Sequence, residues 1–279
     1  MSAPDRHVLD ARTLDCRPSG RDGLLLRVLL PRPLDRPLEG GHFFMLRTEG
    51  ADFPFLNRPF SVHDSRPDGR GPELHFLFKA IGRGTSCLAR LRGGDPLRLV
   101  GPLGQPFPEP RPGETSLLVA GGVGLPPLFL WLRRRLEKAS GAPALLLYGA
   151  RVGAQLFELE AAGHLGVPVR TATEDGSVGL HGRVDQLLAA TLDELAGRPA
   201  RVFACGPDPM MAAVARLCAE RKVACLVSLE TLMACGFGVC NACAVPVAGA
   251  DGRLARYARA CIDGPVMDGS SVLWHATHP

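Results

Sequence analysis

Several kinds of segment are missing from this 279-residue sequence, and each absence narrows the function. Residues 1–7 lack the charged stretch followed by an apolar stretch that marks a signal peptide, so we expect no secretory signal. The uncharged run 116–132 is slightly short for a membrane span and contains glycines and prolines, so no membrane segment is predicted. There is also no internal repeat. A cytoplasmic protein is therefore expected.

An excess of one charge is also missing. Lysine and arginine together number 32 and aspartate and glutamate 28, which leaves a net charge of +4. The positive residues are dispersed, apart from three consecutive arginines at 133–135 on a predicted helix. A solvated helix face explains that triplet, and no nucleic-acid partner is predicted.

Nine cysteines are present, and this odd number argues against a disulfide framework. Four of them follow the pattern C-x4-C-x2-C…C, which is the spacing of plant-type ferredoxins whose four thiolates hold two irons. Gly236 and Gly238 lie inside this loop and allow it to bend closely around a cluster. We therefore predict a 2Fe-2S cluster bound by Cys235, Cys240, Cys243 and Cys261.

Two other interpretations of the four cysteines stay open. Zinc sites favour pairs of short C-x2–4-C knuckles, whereas here three ligands share one knuckle and the fourth stands alone. Two disulfides are also possible by number, although nothing in the sequence indicates an oxidising compartment. The spacing favours the 2Fe-2S cluster over both.

The first part of the chain is rich in strands. About six short strands with turn residues between them predict a small antiparallel barrel over residues 1–110. We expect an α/β domain over 111–225 and a small cluster module over 226–279, so the predicted fold class is multi-domain, β plus α/β. The module is small enough to depend on its metal for stability.

Two elements of the predicted barrel have cofactor-binding chemistry. In Arg58-Pro59-Phe60-Ser61, an arginine offers a forked donor to a pyrophosphate, the aromatic ring covers a flat ring, and the hydroxyl reaches a ring nitrogen. An exposed strand edge would have the same sequence. In Gly82-Arg83-Gly84-Thr85-Ser86, glycines lead into a helix that we expect over 85–91, capped by Thr85 or Ser86. That end would attract a phosphate, although a plain capped turn is the alternative.

The second domain begins with a buried strand, 116–120, followed by Gly121-Gly122-Val123-Gly124 and a predicted helix over 128–138. A strand, a glycine turn and a helix N-terminus form a cradle for dinucleotide phosphates, although the strict G-x-G-x-x-G pattern is absent. Further alternation of strands and helices predicts a parallel, doubly wound sheet. Ligands of such sheets bind beyond the carboxyl ends of the strands.

One of those ends has the sequence Cys205-Gly206-Pro207, where the cysteine either belongs to the core or lines the cofactor site. Arg151 follows another strand and leaves the choice between NADH and NADPH open. It would receive a 2′-phosphate in the second case, and it is otherwise a surface residue or a pyrophosphate contact.

Taken together, these motifs resemble the electron-transfer subunits of class 1B dihydroorotate dehydrogenase, within the ferredoxin–NAD(P) reductase superfamily. The resemblance covers nearly the whole chain, in the order flavin barrel, nucleotide sheet and cluster. Its motifs are Arg58-Pro-Phe-Ser61, Gly82-x-Gly-Thr85, Gly101-Pro-Leu-Gly104, Ala120-Gly-Gly-Val-Gly-Leu-Pro126, Thr173-Glu-Asp-Gly-Ser177, Ala204-Cys-Gly-Pro207, Met233-Ala-Cys-Gly-x-Gly-x-Cys240 and Cys261-x-Asp-Gly-Pro265.

The resemblance implies that FAD lies on the barrel. Arg58 and Ser61 would serve its phosphate and ring, Phe60 beside Pro59 would cover its flat surface, and Gly84 and Thr85, after Gly82, would hold its pyrophosphate. NAD would dock over Gly121, Gly122 and Gly124, with Cys205, Gly206 and Pro207 near the nicotinamide.

The resemblance also implies a partner. A separate FMN-containing subunit would oxidise dihydroorotate in pyrimidine synthesis and pass electrons through the cluster and FAD to NAD+, in a two-plus-two heterotetramer. The chain would then be an NAD(P)-linked oxidoreductase subunit. Hydride transfer needs no general base, so no catalytic side chain is nominated.

Three alternatives share parts of this description. A stand-alone NAD(P)H reductase that feeds an oxygenase, hydrogenase or ferredoxin would use the same cofactors. A zinc-stabilised binding subunit would lack the flavin and be colourless. A relative recruited to a different partner dehydrogenase would keep every motif, because fold and site motifs do not determine the partner.

Overall fold

A computed structural model of the chain describes residues 7–49, 54–69, 71–138 and 142–274. Its first part contains seven strands and one short helix. They are β1 (His7–Ser19), β2 (Gly23–Leu29), β3 (Phe43–Thr48), β4 (Arg58–Ser61), β5 (Asp64–Asp68), β6 (Gly71–Lys79), α1 (Arg83–Ala89) and β7 (Pro96–Leu103).

These strands form one antiparallel sheet that closes on itself. Their order is β4-β3-β7-β1-β2-β6-β5, so β4 and β5 lie at opposite edges. Only Val62 and His63 separate these two strands in sequence, so the sheet must curl until its edges meet. The backbone N–H of His63 donates to the carbonyl of His75 on β6 over 2.9 Å at this closure. The rings of Phe60 and Phe78 meet across it at 5.5 Å.

The barrel has seven strands rather than the six that we predicted. The additional strand is β5, which has the sequence Asp-Ser-Arg-Pro-Asp and no apolar alternation. It forms because a tight turn lays it against β6, where Asp68 lies opposite Gly71. The predicted strand 58–63 ends at Ser61 in the structure for the same reason, since the chain must turn there to enter β5.

The second part is a parallel, doubly wound sheet, as predicted. Its first strand, β8, lies at the centre, and the chain adds strands on one side before it returns to add the others. The elements are β8 (Thr115–Gly121), α2 (Leu125–Glu137), β9 (Ala144–Ala150), α3 (Leu159–Gly163), β10 (Val169–Thr173), β11 (Leu180–His181), α4 (Val184–Leu195), β12 (Ala200–Cys205), α5 (Asp208–Glu220) and β13 (Ala224–Ser228). The winding reverses between β8 and β12, where such sheets bind ligands.

The C-terminal part is joined to this sheet. A small antiparallel pair, β14 (Ala244–Ala248) and β15 (Leu254–Arg259), is followed by β16 (Val266–Asp268), which pairs with β13 as an edge strand of the second sheet. The predicted boundary between residues 225 and 226 therefore lies within β13. No helix of the described ranges combines the length and the apolar character that a membrane crossing requires.

Helix α2 connects the barrel to the second sheet. The Phe129 ring stacks on the His63 ring at 4.2 Å, and Arg133 donates to the Asp64 carboxylate over 3.1 Å. Burial, the largest influence on Asp64, favours its neutral form, but Arg66 and Arg133 outweigh it and lower the pKa of this carboxyl. The contacts hold the two domains in a fixed relation around the sites described below.

His42, His63 and His75 are buried, and burial lowers the pKa of each, so they make the protein sensitive to acid. Burial lowers the pKa of His42 to about 4 and that of His63 to about 3, so both are neutral in the folded protein. An unfolded histidine titrates near 6.5, so stability is complete above that pH and falls as the pH drops towards 4. At pH 5.5 we expect a loss of about 1 to 1.5 kcal/mol per histidine relative to pH 7.5.

The midpoint of thermal unfolding at the two pH values measures this loss. His63→Phe retains a ring against Phe129 and removes one titrating group, so it should reduce the drop between pH 7.5 and 5.5. A drop as large as that of the wild type would exclude His63 as a source of the effect.

Candidate functional site

The four predicted cysteines form two thiol pairs. The Sγ atoms of Cys235 and Cys240 lie 3.4 Å apart, and those of Cys243 and Cys261 lie 3.2 Å apart. The β14–β15 pairing produces the second pair, because it places residue 260 opposite Cys243, and the N–H of Ala260 donates to the Cys243 carbonyl over 3.0 Å.

The loop between the first two cysteines directs backbone N–H groups at the sulfur atoms. Burial, the largest influence, would raise the pKa of Cys235, but the N–H groups of Cys240, Phe237 and Val239 lower it to about 6. Burial and the neighbouring Cys243 raise the pKa of Cys261 to about 12. The N–H of Gly238 acts in the opposite direction and lowers this pKa, but its influence is smaller. The loop therefore offers donors to both pairs, as thiolate ligands require.

This arrangement fits two metal ions better than one. Each iron of a 2Fe-2S cluster takes two protein ligands, and each of the two thiol pairs can supply them. A structural zinc site instead gathers its four ligands around one ion.

The cluster loop packs on the barrel. Gly236 has a φ of +79°, and a Cβ atom there would lie 2.5 Å from Cγ of Met45 on β3. Only glycine tolerates both that conformation and that approach. The loop that carries the thiols is thus held against strand β3 of the barrel. Phe43 of the same strand lines the cavity described next.

A cavity of about 270 Å³ lies between the barrel, the second sheet and residues 229–233. Five predicted residues from three separate motifs line it together: Pro59, Phe60, Ser61, Thr85 and Cys205. Phe43, Leu77, Phe78 and Met233 supply an apolar lining on the same walls. The cavity thus offers a flat, largely apolar cleft with a few polar groups.

Arg58 and Gly84 meet at the edge of this cleft. A Cβ atom at Gly84 would lie 3.2 Å from Nε of Arg58, so the absence of a side chain allows the guanidinium to rest on the start of α1. Arg58 Nη1 also donates to the Leu56 carbonyl over 2.8 Å, which holds the side chain in place. The structure therefore brings the two predicted phosphate-binding motifs of the barrel into contact.

Our prediction for the cap of this helix was wrong. Gly82, with extended backbone, is the N-cap, and the helix begins at Arg83 rather than at Thr85. Thr85 lies in the first turn, and its Oγ1 accepts from the N–H groups of Ile81 and Gly82, both over 3.0 Å. The hydroxyl thus stabilises the turn that leads into the helix.

A second cavity, of about 730 Å³, lies beyond the carboxyl ends of β8, β9, β10 and β12. The predicted residues Gly121, Gly122 and Pro207 line it, and Arg151 does so as well. Gly124 and Gly206 lie behind them. A Cβ atom at Gly124 would be 2.3 Å from the Cys205 carbonyl oxygen, so glycine is what lets the β8 turn pack on the β12 turn.

Cys205 belongs to the core and also lines a cavity, so both of the roles considered for it apply. Its side chain is buried, and it also lines the smaller cavity. Burial raises the pKa of its thiol well above the ordinary value, so the group is neutral and unreactive at the cavity wall.

Sequence reasoning missed several lining residues. Lys79 and Val123 line both cavities, and Glu230 and Thr231 line the smaller one, where Oγ1 of Thr231 is buried and has no hydrogen-bond partner among the described residues. Residues 229–233 precede the cluster loop directly, so one segment serves both the cleft and the thiols. The sequence contained one indication of Lys79 as a lining residue, its place as a charged residue at the end of the apolar strand β6.

Two protein families match separate parts of the chain. The family described as the iron-sulfur cluster binding domain of dihydroorotate dehydrogenase B matches residues 230–273, and the oxidoreductase NAD-binding domain matches residues 118–216.

Curated relatives are similar over most of their length. The dihydroorotate dehydrogenase B (NAD(+)) electron transfer subunit of Desulforamulus reducens is 36% identical over 242 residues, which cover 84% of this chain and 86% of that protein. The subunit of the same name from Bacillus caldolyticus is 33% identical over 275 residues, covering 98% and 97%.

Solved structures share the fold. The structure of an NADH-dependent reduced ferredoxin–NADP oxidoreductase, studied for flavin-based electron bifurcation, has a TM-score of 0.77 at 25% identity and covers 96% of this chain and 91% of that one. A ferredoxin reductase of carbazole 1,9a-dioxygenase has a TM-score of 0.68 at 23% identity, covering 80% and 68%.

Proposed function

The chain belongs to the family of dihydroorotate dehydrogenase B electron-transfer subunits, and from that membership we propose that it relays electrons between a partner FMN dehydrogenase and NAD. It is an NAD-linked oxidoreductase subunit that uses a 2Fe-2S cluster and FAD. The observation that carries this function is the contiguity of the three sites. Gly236 of the cluster loop packs on the barrel, Met233 of the adjoining segment lines the cleft, and Lys79 and Val123 line both cavities.

The cluster is assigned to Cys235, Cys240, Cys243 and Cys261. Their pairing supports the assignment, because two thiolates are required at each iron. The N–H groups that face the sulfurs stabilise the negative charge of the thiolates and of a bound cluster.

FAD is assigned to the smaller cavity and its edge. Phe60 and Pro59 supply flat apolar surface, and Ser61 supplies a hydroxyl. Arg58 over Gly84 supplies a forked cation for the phosphates, and Gly82 and Thr85 shape the turn beside it. The residues present therefore fit a flat ring with an anionic tail.

The nicotinamide dinucleotide is assigned to the larger cavity. Gly121 and Gly122 line its floor without side chains of their own. Gly122 has a φ of +51°, and among the described residues no atom beyond its chain neighbours lies within 4 Å of its Cβ position. Gly124 and Gly206 allow the two turns below the floor to touch; Pro207 lines the larger cavity and Cys205 lines the flavin cleft.

When bound, nicotinamide exchanges electrons in pairs as hydride, the cluster exchanges them singly, and FAD connects the two modes. The residues of the chain position these groups. The apolar walls of the cleft exclude water, and the rigid α2 contacts of Phe129 and Arg133 keep the barrel and the second sheet in register. No side chain is assigned a proton transfer.

We assign residues 1–110 to flavin binding, 111–225 to nucleotide binding and 226–279 to the cluster, although β13 and β16 share one sheet. The relatives are named as subunits of a dehydrogenase, so we propose that the partner is the FMN-containing dihydroorotate dehydrogenase subunit of pyrimidine synthesis, in a heterotetramer. We also propose a cytoplasmic location, because nine cysteines, an odd number, do not suit the disulfide framework of an oxidising compartment.

The test combines spectroscopy with reconstitution. Protein purified without oxygen should contain one FAD and two irons, show flavin and cluster absorption, and lose flavin absorption when NADH is added. Mixed with the FMN subunit encoded by the same genome, it should form a stable complex that reduces NAD+ with dihydroorotate.

Two results would contradict the proposal. A colourless folded protein with stoichiometric zinc would leave a binding subunit only. Reduction of the flavin by NADH with no binding to the FMN subunit, but rapid transfer to a ferredoxin or oxygenase, would establish a stand-alone reductase.

A further inference from the structure

Two successive peptide groups of the cluster loop direct their N–H groups at both thiol pairs. The N–H of Gly238 donates to the sulfur of Cys261, and the N–H of Val239 donates to the sulfur of Cys235. Gly238 therefore connects two donors, one for each pair. The direction of the second donor depends on how the peptide group between Gly238 and Val239 is turned.

The loop itself does little to fix that peptide group. Gly238 has a φ of +82°, and glycine adopts both signs of φ readily, so rotation next to it is easy. The side chain of Val239 is 72% exposed and does not anchor the other end. A Cβ atom at Gly238 would lie 2.6 Å from Cγ1 of Ile262, so packing holds the Cα position but not the plane of the peptide that follows.

Arg259 holds this peptide group from outside the loop. Its Nη1 donates to the Gly238 carbonyl over 3.0 Å, and this carbonyl shares its peptide group with the Val239 N–H. Because the peptide group is planar, a fixed carbonyl also fixes the direction of the N–H. A hydrogen bond from a charged donor is strong, and it polarises the acceptor so that the N–H becomes a better donor in turn.

The turn that carries Cys261 also holds Arg259 in place. Arg259 ends β15, two positions before Cys261. Its backbone N–H donates to Oδ2 of Asp263 over 2.7 Å, and the N–H of Asp263 donates to the Arg259 carbonyl over 2.8 Å. Nε of Arg259 is 4.0 Å from the same carboxylate oxygen, with the side chains 41% and 37% exposed. Such an exposed pair is weak, so it does not draw the guanidinium away from the Gly238 carbonyl.

We propose that Arg259 is a positioning residue that orients the peptide group between Gly238 and Val239 towards the Cys235 sulfur and so raises the reduction potential of the 2Fe-2S cluster. This inference rests on the proposed function, in which the four cysteines bind such a cluster. Reduction adds a negative charge, and hydrogen bonds to the sulfurs stabilise that charge. Arg259 thus sets how readily an electron from the partner subunit or from the flavin enters the cluster.

The experiment measures the midpoint potential of the cluster by redox titration followed by EPR, on protein that contains both flavin and cluster. The variants are Arg259→Met, Arg259→Gln, Arg259→Lys and Arg256→Met, each at low and at high salt. Arg256 is the matched control, because it lies exposed on the same strand and its loss removes the same charge. Iron content, flavin content and flavin potential are recorded for every variant.

We expect Arg259→Met to lower the equilibrium constant for one-electron reduction of the cluster about tenfold, which corresponds to about 59 mV. Arg259→Gln is neutral and shorter and should show a loss in the same direction, whereas Arg259→Lys keeps a charged donor and should recover at least half of the shift. Arg256→Met should change the constant less than about twofold, and the shift of Arg259→Met should persist at high salt, because salt screens an exposed charge far more than a direct hydrogen bond. The flavin potential should not change.

A wild-type cluster potential in an Arg259→Met protein that retains its iron would overturn the inference and leave the proposed function intact. An equal shift in Arg256→Met, or a shift that disappears at high salt, would also overturn it, because net charge would then set the potential. If Arg259→Met loses iron, Arg259→Gln decides by the same measurement, and loss of iron from both would assign Arg259 a structural role only. A wild-type protein without the EPR signal of a reduced 2Fe-2S cluster would overturn the proposed function and this inference together.

Discussion

Cys261→Ser should empty the cluster site and stop electron transfer between the partner subunit and NAD, while NADH still reduces the flavin. Cys261 is 1% exposed, and its sulfur lies 3.2 Å from that of Cys243. Serine removes a thiolate ligand from one of the two pairs, and an alcohol does not ionise at neutral pH to replace it. Loss of an outer-shell partner of a metal ligand already costs 10- to 100-fold, so we expect dihydroorotate-dependent NAD+ reduction to fall more than about 100-fold.

Iron content, cluster absorption and two activities measure this prediction. NADH oxidation with ferricyanide reports the flavin alone and should stay within about twofold of the wild type, since Gly236 and Met45 still seat the loop. Cys225→Ser is the matched control, because Cys225 is also buried but lies on β13 outside both pairs. It should retain its iron.

A Cys261→Ser protein that keeps two irons and its full relayed activity would show that the fourth ligand lies elsewhere. One zinc in the wild type would contradict the pairing argument itself. The first result would be compatible with the proposed function and would require a different fourth ligand. The second would mean that the chain cannot transfer single electrons through a cluster.

The conformation of the proposed cluster loop could be predicted from the sequence because it is local. Three of the four proposed ligands lie within nine residues, and the bends at Gly236 and Gly238 occur where glycine was expected, at φ of +79° and +82°. The glycine turn at 121–124 was predictable for the same reason. In each case one short segment supplies both the conformation and the functional group.

Elements that depend on distant partners escaped prediction. Val266, Met267 and Asp268 form β16 only because β13 offers an open edge, and their own sequence has no strand signal. Similarly, β5 exists because β6 is there to pair with it. These strands are determined by tertiary pairing, which overrides weak local preference.

Helix α4 is a different kind of omission. Its buried residues Val184, Leu187, Leu188 and Leu192 recur at helical spacing, so the sequence contained a signal that we did not use. The two residues that line both cavities had no such signal. Lys79 and Val123 are 44 positions apart in the chain, and only the packing of the barrel on the second sheet brings them together.

Gly124→Ala should weaken NADH binding about 100-fold and leave the flavin and cluster in place. The new Cβ atom would lie 2.3 Å from the carbonyl oxygen of Cys205, 2.5 Å from its carbonyl carbon and 2.6 Å from Cα of Gly206. All three are backbone atoms, so no side-chain rotation relieves the contact, and the turns after β8 and β12 must separate. Overpacking of this kind costs about 1 to 3 kcal/mol or more. Because both turns border the nucleotide cavity, we expect NADH affinity to fall about 100-fold.

Gly166→Ala is the matched control in the same domain, because Gly166 lines neither cavity. Its φ is +70° and its Cβ atom meets nothing within 4 Å among the described residues, so the substitution costs only the strain of a left-handed alanine, about 1 to 2 kcal/mol. Anaerobic NADH titrations, with flavin and iron contents, should show less than about a tenfold loss for this variant. If Gly124→Ala bound NADH as tightly as Gly166→Ala, contact between the two turns would not shape the cavity, and the dinucleotide would have to lie elsewhere. A large difference would mean that the backbone contact behind the floor holds the site in its binding form.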